Sequence, residues 1–157
     1  MTIKENLKFL LRRIKKNLTK KERNEKIEER LKNVGLTDTL HKMPSELSGG
    51  MRKRASLART IIVDPLIMLY DEPTTGLDPV TSDGISELIN EVQEKYNTSS
   101  IIITHDIECA RATADRIIML QDGEVYMKGN IDDFENSTDE TITSFFKQQV
   151  HNTQKKV

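Results

Sequence analysis

The chain has 157 residues, 36% of them hydrophobic, with four Phe, three Tyr and no Trp, which supports one modest core and excludes a second domain. Net charge is only −1 but uneven: residues 1–34 hold twelve Lys/Arg against five Asp/Glu, so the remainder carries −8. Those basic charges alternate with Glu at helical spacing and carry almost no aromatics, a pattern of solvated helix faces that speaks against a nucleic-acid partner. Cys109 is the sole cysteine, which excludes an internal disulfide and a cysteine-type metal site and fits a reducing, cytoplasmic compartment. No apolar run approaches the length of a membrane span, so direct membrane insertion is not expected.

Thr2-x-x-Glu5 has the form of a capping box, and Ile3, Leu7, Leu10, Leu11, Ile14 and Leu18 then share one helical face. Thr19-x-x-Glu22 repeats the start signal, with Ile27, Leu31 and Val34 as the buried stripe and Gly35 as the stop. After a polar segment, Met43-Pro44 marks a boundary, because the residue before proline is pushed out of helical conformation. Helical spacing returns from Met51 to about Val63, with Ala55, Ala58, Ile61 and Ile62 inward and Arg52, Lys53, Arg54 and Arg59 outward. Asp64-Pro65 ends it.

Leu66 to Tyr70 is an apolar run of the length of a buried parallel strand, and it delivers Asp71 and Glu72 at its carboxyl end. After the loop Pro73-Thr74-Thr75-Gly76, Asp78 as N-cap and Pro79 at the first helical position open a helix that turns Ile85, Leu88, Ile89 and Val92 inward. Ser100 to Thr104 predicts a second buried strand, followed by His105 and a helix from about Ile107 to Ala114. Arg116 to Leu120 and Glu124 to Met127 flank Asp122-Gly123, a hairpin signal. Asp139 to Gln149 predicts a terminal helix through Ile142, Phe145 and Phe146, and the tail after His151 is polar enough to be disordered.

Chemistry concentrates between Met43 and Pro79. Leu47-Ser48-Gly49-Gly50 sets a hydroxyl and two glycines before a helix, so unpaired N–H groups and the positive helix end face one point, a geometry that suits an anion. Alone, the same residues could be an ordinary cap. Asp71 and Glu72 could be a solvated loop pair, but strong acids after an apolar strand commonly coordinate or polarise a ligand, which points to a metal and a water. His105 is a weak catalytic candidate by itself. Its place after a second strand puts it at the same sheet edge, where open α/β sheets bind ligands. The cluster Arg52-Lys53-Arg54 reads as a solvated helix face or an acid-pairing surface.

The ordered set LSGGMRKR, IMLYDEP, GLD and THD resembles the ATP-binding subunits of ABC transporters, over Pro44 to about Gly129. The resemblance implies an α/β fold with a partial P-loop NTPase-like parallel core sheet, an N-terminal helical subdomain and a C-terminal β-hairpin plus helix. It divides residues 1–157 into a helical subdomain part (1–43), the signature helix and Walker B strand (44–79), core sheet and helices (80–130), and a C-terminal helix and tail (131–157). It further implies ATP and Mg²⁺ as cofactors. Ser48, Gly49 and Gly50 would form the signature loop that contacts the terminal phosphate of ATP on the opposite subunit. Asp71 would hold Mg²⁺, Glu72 would polarise the attacking water, Asp78 would communicate across the dimer, and His105 would sense the terminal phosphate.

The partners implied are a second ATP-binding subunit and a membrane permease, with the protein peripheral to the inner membrane through that permease. MPSELSGGM, with Met51 and basic residues in place of the commoner glutamines, is most similar to ATPases of Mla-type phospholipid transport systems. No GxxxxGK[ST] Walker A pattern occurs, and Gln93, the first glutamine, falls well after the signature, so the family's glutamine loop is also missing. The chain therefore reads as the C-terminal part of a larger subunit and is expected to be inactive by itself. Two alternatives are a non-catalytic interaction module that docks on a permease or a complete ATPase, and a soluble ABC ATPase outside transport.

Overall fold

A computed structural model describes residues 1–146. Helix α1 (Ile3–Ile14) opens with the expected capping box: Thr2 Oγ1 accepts from the Glu5 N–H at 3.3 Å, and the Thr2 N–H donates to Glu5 Oε2 at 2.7 Å. Its buried stripe is Ile3, Leu7 and Leu11. The stripe does not continue as predicted. Lys15 caps the helix, Ile14 is 56% exposed, and Leu18 lies beyond the helix. Periodicity carries no information about where a run such as Arg12-Arg13-Ile14-Lys15-Lys16 stops, because crowding like charges on one turn offsets the gain from burying one more Ile.

Helix α2 (Lys20–Asn33) starts from the second capping box and ends before Gly35, whose φ of 71° needs a residue without Cβ. A turn of 3-10 helix at Pro44–Glu46 follows the Met43 boundary. Helix α3 (Gly49–Ile61) then packs against α1 and α2. Leu7, Leu11, Ile27, Leu31, Ala58, Ile61, Met68, Leu88 and Val92 belong to one continuous core. The N-terminal helices thus share their interior with the signature helix and the first strand.

Strand β1 (Ile67–Asp71) pairs in parallel with β2 (Ser99–Ile103), Leu69 opposite Ile101, and α4 (Pro79–Tyr96) connects them. The sequence predicts both strands to be buried. The structure covers one face: Met68 is buried, whereas Ile67, Leu69, Ile101 and Ile103 are each 59–71% exposed. Side chains alternate along a strand, and among the described residues helices α3 and α4 pack on the Met68 side.

Helix α5 (Ile107–Thr113) packs on α4 and buries Cys109 at the junction. The hairpin β3 (Ile117–Gln121) and β4 (Glu124–Gly129) is a separate antiparallel ladder, with a bulge between Met119 and Leu120. Asp122 and Gly123 both have positive φ, as a two-residue hairpin turn demands. A short helix α6 (Ile131–Glu135), capped by Asn130, was not anticipated. Residues 140–146 are helical, and Phe146 stacks on Phe134 with ring centroids 6.3 Å apart. The remainder of the expected terminal helix and the polar tail lie outside the described residues.

Candidate functional site

Ser48 is the N-cap of α3, its hydroxyl accepting from the Met51 N–H at 3.3 Å, so the helix begins two residues earlier than periodicity suggested. Gly49 and Gly50 thereby become its first turn, with N–H groups that have no acceptor inside the helix. Packing at both glycines is close. A Cβ on Gly50 would lie 2.6 Å from Thr81 Cγ2, and one on Gly49 3.2 Å from Leu77 Cδ2. The start of α4 therefore abuts the start of α3, and this brings the Ser48–Gly50 turn beside Asp78.

Asp78 caps α4 with both carboxylate oxygens: Oδ2 accepts from Thr81 Oγ1 at 2.6 Å and Oδ1 from the Thr81 N–H at 3.0 Å. These bonds, the hydroxyl's first and then the amide's, hold its carboxyl below the usual range. Asp78 is thus a helix cap as well as a residue of the loop that faces outward at this end of the fold.

Asp71 and Glu72 emerge from the carboxyl end of β1, and His105 from that of β2, so the parallel pairing puts all three on one sheet edge. The ladder runs one residue past the strand, the Glu72 N–H donating to the Ile103 carbonyl at 2.9 Å. Glu72 then turns left-handed, with φ 49°, a conformation unusual for a residue with a Cβ. Its Oε1 lies 2.8 Å from His105 Nδ1, and its Oε2 accepts from Thr75 Oγ1 at 2.6 Å. Partial burial opposes ionisation of Glu72, but the bonds from His105 and Thr75 outweigh it and keep the carboxyl below its ordinary range.

A second tie locks the same two loops. Buried Thr74 donates to Asp106 Oδ2 at 2.8 Å, while Asp106 Oδ1 accepts from the N–H groups of Glu108 and Cys109 and so caps α5. Thr74, Thr75 and Asp106 were not singled out in the sequence. The legible signal for Asp106 is its place as an N-cap immediately before the helix that starts at Ile107.

The basic cluster departs from the solvated or acid-paired reading. Each member donates to a backbone carbonyl: Arg52 to Leu47 at 2.6 Å, Lys53 to Glu72 at 2.7 Å, and Arg54 to Val34 and Gly84 at 3.2 and 3.5 Å. The cluster thus braces α3 against its surroundings.

Among the described residues there is no group of three or more His, Cys, Asp or Glu side chains able to hold a metal by themselves. That donor set still fits Mg²⁺, which keeps several waters and takes one or two carboxylates plus substrate phosphates. Asp71 is exposed at the strand end.

Comparison with known proteins bears on the family and the fold. A family model described as "ABC transporter" matches residues 1–75. The methionine import ATP-binding protein MetN of Lactococcus lactis is 36% identical over 132 residues, 84% of this chain and 36% of MetN. The chain therefore spans about a third of the length of that curated relative. The dimeric structure of MJ0796, described as a bacterial ABC transporter cassette, superposes with a TM-score of 0.72 at 33% identity, covering 83% of this chain and 57% of that one. CbiO1 from Clostridium perfringens, described as part of the ABC transporter complex cbiONQ, gives 0.75 at 26% identity, covering 95% and 55%. In sequence and in fold, this chain is thus similar to the ATP-binding domains of ABC transporters.

Proposed function

We propose that these residues serve ATP hydrolysis coupled to transport through a membrane permease. The observation that carries this reading is the Glu72–His105 pair at the carboxyl edge of the parallel strands, next to the outward-facing Asp71. Phosphoryl transfer asks little covalent help of a protein; it needs a positioned water, charge neutralisation and directed N–H donors. Glu72, ionised and oriented by two hydrogen bonds, is suited to accept hydrogen bonding from an attacking water. His105 holds that carboxylate and stands where a terminal phosphate would meet the sheet edge. Asp71 would hold Mg²⁺, which when bound neutralises phosphate charge.

The first turn of α3 offers Ser48 and the free N–H groups of Gly49 and Gly50 to an anion. We assign these donors to the nucleotide of a second ATP-binding subunit, a reading supported by the dimer of the similar MJ0796 cassette. Asp78, beside the same turn, lies where it can communicate with that second subunit. The permease partner is supported by the transporter complex to which CbiO1 belongs. No helix among the described residues is long and apolar enough to cross a membrane, so attachment through a permease at the cytoplasmic face suits the chain.

For the substrate, the named MetN imports methionine, and import of a small solute is the reading that likeness supports. The phospholipid reading rests on the MPSELSGGM motif alone. Transport assays on the assembled complex in vesicles, with methionine and phospholipid compared, distinguish the two. For the chemistry, Glu72→Gln in that complex should retain ATP yet slow turnover by at least about a hundredfold, the scale of a lost general base. Turnover near wild type would remove Glu72 from the reaction.

A further inference from the structure

Every polar group of Glu72 is held, and one holder comes from helix α3. The Glu72 N–H bonds to Ile103, the carboxylate to His105 and Thr75, and the carbonyl accepts from Lys53 Nζ at 2.7 Å. Lys53 lies on α3, three and four residues beyond Gly50 and Gly49, and therefore on the helix face that follows those glycines. Its side chain is half-buried, and the bond spans 19 residues of sequence to reach a backbone in the left-handed region. That conformation strains a residue with a Cβ and persists only where its surroundings impose it.

We propose that Lys53 is a positioning residue for the hydrolysis described above: its ammonium fixes the left-handed turn at Glu72, aims the Glu72 carboxylate, and ties that carboxylate to the helix whose first turn carries Ser48, Gly49 and Gly50. An ammonium placed on a carbonyl makes a charge-assisted bond, stronger than a neutral one and directed at the peptide that sets where the side chain leaves the chain. A shift of α3 is thereby transmitted to Glu72 within the same subunit. Misplacement of a catalytic group by about 1 Å costs on the order of a hundredfold in rate, so a small loss of aim is measurable.

The inference rests on the hydrolysis reading and is tested on the intact transporter complex with Lys53→Met, Lys53→Arg, Glu72→Gln and the Lys53→Met/Glu72→Gln double variant. Lys53→Met should lower kcat about ten- to a hundredfold with KM for ATP unchanged. Lys53→Arg, which keeps a cationic donor, should recover most of the loss. In single-turnover measurements Lys53→Met should add little to Glu72→Gln, because its effect passes through that carboxylate. Wild-type turnover in Lys53→Met beside an inactive Glu72→Gln would overturn this inference alone, as would losses that multiply in the double variant. A fall in kcat that follows the thermal midpoint across Lys53→Met and Lys53→Arg would also overturn it. Wild-type turnover in Glu72→Gln would remove the hydrolysis reading and this inference with it.

Discussion

At Glu72 the same bonds that aim the side chain also couple it to pH. Its folded-state carboxyl is held below its ordinary value of 4.5, so its contribution to stability is complete above that value and is lost as pH falls through the lower folded one. Glu72→Gln is uncharged throughout and has no such contribution to lose. Acid titration followed by circular dichroism should therefore show wild type losing stability more steeply than Glu72→Gln below about pH 4.5. Glu72, Asp71 and His105 were legible because acids and a histidine after apolar strands stand out from their surroundings. The ties that Lys53 and Thr75 make to Glu72 were not, since a lysine on an amphipathic helix and a threonine in a loop have the same appearance whether they bond to solvent or to a candidate site residue.

Among the elements, the helix starts were the most readable part of the chain. Thr2, Thr19 and Asp78 each announce a helix through side-chain oxygens that accept its first N–H groups. Long-range polar ties between elements were invisible by comparison. Asp64, just past α3 and at φ 56°, accepts from Lys26 Nζ at 2.5 Å and Arg30 Nη2 at 2.9 Å, with Lys15 Nζ at 3.4 Å. Arg30 is nearly buried, and its guanidinium also lies 4.5 Å from the centre of the Tyr96 ring, so α2, α3 and α4 meet at one ion cluster. Removing Asp64 leaves a largely buried cation with fewer partners. Asp64→Ala should lower stability by about 1–3 kcal/mol in urea unfolding, the scale of a lost hydrogen bond to a charged group. An unchanged unfolding midpoint would show the cluster to be ornamental to stability.

For the whole molecule, the order of α and β elements and the parallel sheet were readable from punctuation by Pro, Gly and capping residues. How far each strand is covered was not, because an unbroken apolar run such as Leu66 to Tyr70 is equally compatible with one or two covered faces. Ile67, Leu69, Ile101 and Ile103 form an exposed apolar surface on the sheet. Such a surface invites association. Residues 1–157 expressed alone should run above monomer mass in light scattering at micromolar concentration, and Leu69→Thr with Ile101→Thr should shift them toward monomer. A monodisperse wild-type monomer would contradict this expectation.

The burial of Cys109 has a practical consequence. It is the sole thiol of the sequence, 2% exposed where α5 rests on α4, and desolvation raises its pKa and so disfavours the reactive thiolate. The folded protein therefore shields its only thiol, and the rate of thiol alkylation under native conditions should report on how often α5 lifts from α4, at a junction where Asp106 caps α5 and also anchors Thr74.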